Sequence, residues 1–252
     1  MKKIKRNQMT RNRVVISCLF FILLSCGSSK KSKENKIAYA KYLASRNIAP
    51  IKVNDLDYYD DFFEYKQEKK KQALINNPYL KVNQVYVHYR NSHSVEFSVY
   101  SDERTFCLST FDLDMDGQIL SFPENSIVTV LKPIKVAHYG TYELTDNFLK
   151  TRKRSKTPFN EWYDYLNGNI KNDTIHFTEK YVGTSDHKFK KKWLAKTRKE
   201  DLKEIYQPNL EAVKYVNENG LIYFMVTGEF KFVKQKDTDE EKMFMIMDKV
   251  KY

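Results

Sequence analysis

Asp112, Asp114 and Asp116 stand at alternate positions ahead of Gly117 in "FDLDMDGQILSF", residues 111–122. Carboxylates so spaced, with a glycine for a sharp turn, open the loop of many calcium sites. Here Asp112, Asp114, Asp116, Gly117 and Ile119 match loop positions 1, 3, 5, 6 and 8. Such a loop closes on a bidentate glutamate at its twelfth position. That position is Pro123, with Glu124 one residue late, and the flanks lack helical character. Read as strand, Asp116-Gly117 becomes a two-residue turn that sets Leu113 opposite Leu120 and Phe111 opposite Phe122. Alternate strand residues lie roughly 7 Å apart, too far to curl around one ion. The expectation is a hairpin that binds no calcium.

Other chemistry-bearing residues form no recognisable constellation. His88, His93, His138, His176 and His187 are scattered, without His-x-x-x-His or Cys-x-x-Cys spacing. The seven glycines make no Gly-x-Ser-x-Gly elbow, P-loop or Gly-x-Gly-x-x-Gly. Cys107, in the strand-like "RTFCLSTF", reads as a small buried hydrophobe. No catalytic residue, metal ligand or cofactor is assigned, and the chain is read as a non-enzyme, with a small envelope hydrolase the least favoured alternative.

Lys2, Lys3, Lys5, Arg6, Arg11 and Arg13 precede the apolar run "VVISCLFFILLS", Val14 to Ser25. Its 12 residues fall short of the roughly 20 that span a bilayer, and the run reads as a signal-peptide core. It ends in "LLSC", Leu23 to Cys26, followed by the polar "GSSKKSKENK". This arrangement resembles the lipobox of bacterial lipoproteins. The resemblance implies that residues 1–25 are removed, that Cys26 carries acyl chains such as palmitate, and that residues 26–36 form a lipidated tether. With Gly27 rather than aspartate after the cysteine, it implies attachment to the outer membrane through the N-terminal lipid. Each buried CH₂ of a chain contributes about 0.8 kcal/mol, so several chains hold firmly.

Loss of six basic and no acidic residues with the signal lowers the formal charge from +12 to +6. Two basic runs, Lys150–Lys156 and Lys188–Lys199, hold five and seven cations and no acid. Charge runs ordinarily mark solvated loops. The functional alternative is a patch of Arg152, Arg154, Lys190, Lys191 and Lys192 that meets an anionic envelope surface or a protein partner, with Trp193 adding an apolar or cation–π contact. Nucleic acid is not an expected partner of an exported chain.

The elements behind these residues fall in two parts. "NKIAYAKYLASRN" and residues 54–77 read as helix, with Asn54 as N-cap and Leu56, Tyr59 and Phe63 on one face; Pro78 closes this helical segment, residues 37–77. Over residues 78–252 the period becomes two. Val85, Val87 and Tyr89 alternate with Tyr86, His88 and Arg90, and Val95, Phe97 and Val99 alternate with Glu96, Ser98 and Tyr100, as in half-buried strands. Asn167-Gly168 and Asn219-Gly220 read as further hairpin turns. "KKWLAKTRKEDLKEIY" reads as a short helix or irregular insertion, and the segments around "GEFKFVKQ" and "EKMFMIMDKVKY" as a closing hairpin. No repeat and no strand–helix alternation is present. The expected fold is α+β and β-rich: one or two N-terminal helices, then an antiparallel β meander, open or closed into a barrel.

"GTYELTD" and "YLNGNIKNDTIHFTEKY" resemble the meander of small lipocalin-like bacterial lipoproteins, in which a Gly-x-Tyr strand precedes an Asn-Asp hairpin. Gly140, Tyr142, Leu144, Ile170, Asn172, Asp173, Ile175 and Phe177 carry the likeness, within residues 79–182. It implies a lipocalin-like barrel that holds an apolar ligand. The expected function is that of a lipid-anchored cell-envelope lipoprotein with a binding or structural role at the outer membrane, the alternative being a lipocalin-like carrier.

Overall fold

The computed structural model describes residues 32–48, 58–91, 93–113, 117–183 and 198–233. Cys26 and the rest of the signal segment, Asn54, Leu56, Asp114, Asp116, His187, Lys190, Lys191, Lys192, Trp193 and residues 234–252 lie outside them. The chain divides into two compact units, residues 1–70 and 71–252. Among the described residues no helix is long and apolar enough to cross a membrane.

In the first unit, helix α1 spans 32–45 and so begins within the stretch expected as tether. Helix α2, Tyr59–Ile75, begins in the first unit and has its last residues, 71–75, in the second; it carries Asp60 and Asp61 in its first turn, where the helix dipole favours negative charge. Tyr39, Tyr42 and Leu43 of α1 enclose Phe62, with ring centroids 5.1 Å from Tyr39 and 5.5 Å from Tyr42. The expected apolar face is therefore displaced by one residue: Phe62 is buried, whereas Phe63 is 54% exposed. Neighbouring helix positions differ by about 100°, so only one of two adjacent rings can enter the tyrosine pair.

The second unit holds eleven described strands, all paired antiparallel: β1 (Val85–Tyr89), β2 (Ser94–Tyr100), β3 (Thr105–Asp112), β4 (Ile127–Thr129), β5 (Ile134–Thr145), β6 (Phe148–Lys156), β7 (Glu161–Lys171), β8 (Thr174–Gly183), β9 (Arg198–Tyr206), β10 (Leu210–Val216) and β11 (Ile222–Lys231). Eight of them, β1-β2-β3-β5-β6-β7-β8-β9, form a meander in which each pairs with the next, and β9 returns to β1. The α+β meander expected from the sequence is thus present, and it closes into a barrel. The seam is narrow: Tyr86 faces Tyr206 and Val87 faces Ile205. Beyond it the His88 ring continues the ladder by donating through Nδ1 to the Lys203 carbonyl, 2.9 Å away.

The barrel shares a wall with a second layer. The first residues of β5 leave the barrel to pair with β11, Val136 opposite Phe224, and β11 is flanked by β10 and β4. Against this layer lie Val85, Val87, Val95, Phe97, Val99 and Cys107 of β1–β3, fully buried. The other face of the same strands, carrying Tyr86, Tyr100 and Phe106, is inside the barrel. Strand β5 serves both cores by a bulge. Phe106 pairs with Gly140 and Cys107 with His138, leaving Tyr139 as an extra residue. A one-residue slip moves alternate side chains to the opposite face. Thus Ile134 and Val136 point to the second core but Tyr142 and Leu144, of the same parity, join the barrel core.

Three turn expectations are resolved differently. Asn219-Gly220 is a turn, joining β10 to β11 with Gly220 at φ +73°. Asn167-Gly168 is not; it lies inside β7 at a register shift against β8. A Cβ on Gly168 would sit 2.4 Å from the His176 carbonyl oxygen, so this glycine permits close backbone approach rather than a reversal. Phe111 and Leu113 do not face Leu120 and Phe122. Instead β3 pairs with β2, Phe111 opposite Val95, while Leu120 bridges Val130. The real β7–β8 turn is Asn172-Asp173, both at positive φ as a type I′ turn requires, where the lipocalin-like resemblance places a hairpin. "KEDLKEIY" is strand β9, not helix, because Glu200, Leu202, Glu204 and Tyr206 alternate as one inward face.

Candidate functional site

The turns β2–β3, β5–β6 and β7–β8 lie at one end of the barrel, and β1–β2 and β6–β7 at the other. The first end is filled. Tyr86, Tyr142, Leu149, Ile170, Ile175 and Phe177 pack there with Leu74 from the last turn of α2 and with Leu80. The Tyr86 hydroxyl accepts the Lys81 backbone N–H at 2.8 Å, and Asp102, in the β2–β3 turn at the same end, is held by Lys71 at 3.0 Å and Lys214 at 2.9 Å. Burial opposes ionisation of Asp102, but those two lysines outweigh it and keep its pKa below the usual carboxylate range.

Toward the second end the lumen opens into a cavity of about 580 Å³ to which all eight barrel strands contribute. That is the size range of small-molecule pockets, about 300–1,000 Å³. Its middle is apolar, formed by Phe106, Leu108, Leu166, Phe177 and Leu202. Its rim is ionic: Arg90, Glu96, Lys153, Asp164, Lys180 and Glu200. Lys153 donates to the Tyr139 hydroxyl and lies 3.9 Å from Asp164, which also accepts from Ser155 at 2.9 Å. Thr110 donates to Glu96 at 3.2 Å. The bulge in β5 is what turns Tyr139 into this cavity.

Below the rim sits Glu204 of β9, only 2% exposed. The Tyr100 hydroxyl donates to its Oε2 at 2.8 Å. Burial pushes the Glu204 carboxyl up to about 8; the Tyr100 bond acts against this, and the nearby charge of Glu96 adds to it. At neutral pH Glu204 is therefore a protonated acid facing the lumen, able to donate as well as accept. Tyr100, wholly enclosed and next to that carboxyl, has its own pKa raised well above the usual phenol value by burial.

Other chemistry-bearing side chains do not converge on the lumen. Burial pushes the Cys107 thiol up to about 12, and its sulfur donates to the Ile222 carbonyl at 3.4 Å, so it is the small buried hydrophobe expected. His176 pairs with Asp201 at 2.7 Å, both partly exposed. No group of three or more metal-ligating side chains occurs among the described residues. The run Lys150–Lys156 is strand β6 rather than a loop. Its Lys153 points into the cavity, whereas the Arg152 guanidinium lies 5.5 Å from the Tyr163 ring centroid and Arg154 pairs with Glu161 at 2.6 Å.

Sequence reasoning missed the lumen residues because it gave β1 and β2 one buried face. By alternation Tyr86, His88, Arg90, Glu96, Ser98 and Tyr100 fall on the wet side of half-buried strands. Ser98 and Tyr100 are in fact enclosed, since the strands are walls between two cores. The usable signal was the aromatic content of that polar face: Tyr86 and Tyr100 are costly to leave in water on a supposedly solvated side. No protein family, no characterised protein and no solved structure matches the chain.

Proposed function

We propose that the barrel is a carrier, which takes one small and largely apolar molecule through its open end, and that a lipid on Cys26 holds the chain in the cell envelope at the outer membrane. The observation that supports the carrier is the cavity of about 580 Å³, apolar in its middle and polar at its rim. A purely structural barrel would have its lumen filled with side chains at both ends, as this one is filled at the end where Leu74 and Leu80 pack. Binding rather than catalysis is favoured by the rim, where Lys153, Asp164, Tyr139 and Ser155 are engaged with one another instead of being left to a substrate.

The test is fluorescence titration of the full-length chain with N-phenyl-1-naphthylamine, a neutral apolar probe. Saturable one-to-one binding is expected. Leu202→Trp adds an indole to the middle of the cavity and should weaken binding about fivefold or more, as overfilling a site costs typically 1–3 kcal/mol. Absence of saturable binding by the wild type ends the carrier reading. The anchor is tested separately. Cys26→Ala should move the protein from the detergent phase to the aqueous phase on partition, and equal partition of variant and wild type would remove the lipid from Cys26.

A further inference from the structure

We propose that the molecule carried in the lumen bears a positively charged amine, seated between Glu204 and Glu96 against the rings of Tyr100 and Phe106; the inference rests on the carrier reading and specifies its ligand.

Glu204 on β9 and Glu96 on β2 face the same cavity from either side of β1. Neither has an ion-pair partner among the described residues. The other titratable and charged groups lining the cavity are Tyr100 and Glu96 from β2, His88 from β1 with Arg90 just past it, Glu200 from β9, Tyr139 from β5, and Lys180, Asp164 and Lys153 from β8, β7 and β6. Of the two lysines, Lys153 is already committed to Asp164 and Tyr139. The β2–β1–β9 side of the lumen therefore carries three acids, Glu96, Glu200 and Glu204, against one rim cation, Arg90. An ammonium head lowered to this depth meets two carboxyl groups, Glu204 giving up its proton to take it, whereas a carboxylate or phosphate head would meet the charge of Glu96.

The rings complete the site. Tyr100 and Phe106 lie parallel to within 21°, with centroids 5.9 Å apart, and Tyr139 meets Phe106 edge-on at 5.6 Å. A cation over such faces is attracted by the ring quadrupoles, more strongly when desolvated. The apolar body of the ligand then lies along Leu108, Leu166 and Leu202, between the buried acid and the rim. The proton balance is explicit. An ammonium that pairs with the protonated Glu204 displaces the carboxyl proton, which leaves to solvent while the amine keeps its own.

The experiment is competition against N-phenyl-1-naphthylamine on the full-length chain by decylamine, decanol and decanoate below their micelle concentrations, with calorimetry of decylamine at pH 6.5 in two buffers of different ionisation enthalpy. Decylamine should displace the probe at least tenfold better than decanol, decanoate should be the weakest, and close to one proton should be released per amine bound. Glu204→Gln should abolish both the amine's advantage and the proton release, while an unchanged far-UV spectrum and a melting temperature no lower than that of the wild type report an intact barrel. Equal displacement by amine and alcohol, or Glu204→Gln without effect on the amine, overturns the head-group assignment and leaves the carrier standing. Failure of the probe to bind at all overturns both.

Discussion

Alanine at position 140 should split the barrel along the contact of β5 with β6. A Cβ there would stand 2.1 Å from the Arg152 carbonyl oxygen and 2.7 Å from the Phe106 ring. The ring can swing into the cavity, but the carbonyl belongs to the backbone of β6, in register with Gly140 opposite Lys153. Relief requires the strands to separate just where β5 also turns to meet β3. Overpacking in a close-packed interior costs typically 1–3 kcal/mol, and a clash with backbone lies at or above the top of that range. For a domain of this size the melting temperature should fall by about 6–12 °C or more. Gly220→Ala is the control: its φ is +73° but nothing lies within 4 Å, so only the left-handed strain of about 1 kcal/mol applies. Equal melting temperatures for the two variants would mean that the β5–β6 contact accommodates a methyl group.

The stability of the wild type should decline relative to Glu204→Gln as pH rises from about 4.5 to about 8. In the unfolded chain the carboxyl titrates near its ordinary value of 4.5; in the barrel, burial raises it to about 8. Between those values the folded state binds the proton that the unfolded state has released. Stability contributed by the protonated acid is thus fully present below pH 4.5 and is lost as pH climbs, by roughly 1.4 kcal/mol per unit. Glutamine keeps an oxygen for the Tyr100 hydroxyl and has no charge to bury. The difference in unfolding free energy between the two proteins should grow by several kcal/mol across the window and level off above pH 8. Denaturant titrations at pH 5, 7 and 8.5 measure it, and parallel pH dependence of the two proteins would place the Glu204 carboxyl in contact with water.

What was legible in the sequence is what depends on neighbours along the chain. Period-two alternation marked β1 and β2 and Asn219-Gly220 marked the β10–β11 hairpin, while the Asn172-Asp173 turn was implied by the lipocalin-like resemblance. The rest is decided by partners distant in sequence. Asp116-Gly117 has the composition of a hairpin turn, but β3 takes β2 as its partner up to Asp112, and residues 120–121 pair instead with Thr129 and Val130. Asn167-Gly168 has the same composition and lies mid-strand because β8 comes too close for a side chain. The lysines and glutamates of β9 favour helix in isolation, yet closure of the barrel needs an eighth strand, and β9 fills the gap between β8 and β1. Glu204 was invisible for that reason: an acid in a charged segment becomes a buried acid only once the segment is a barrel wall.

The joints of the barrel differ greatly in strength. Strand β7 faces β8 through nine residue pairs and β6 through nine more, but β1 faces β9 through two. A structure opens first where the fewest bonds must break, and such openings cost far less than global unfolding. The meander from β5 to β9 and the layered β1–β3 can therefore part briefly along one line while each stays folded. The part of the wall that frays first is then a line held by two residue pairs, the Gln207–Val85 backbone bond and one imidazole, and its opening is set apart from how hard the whole protein is to melt.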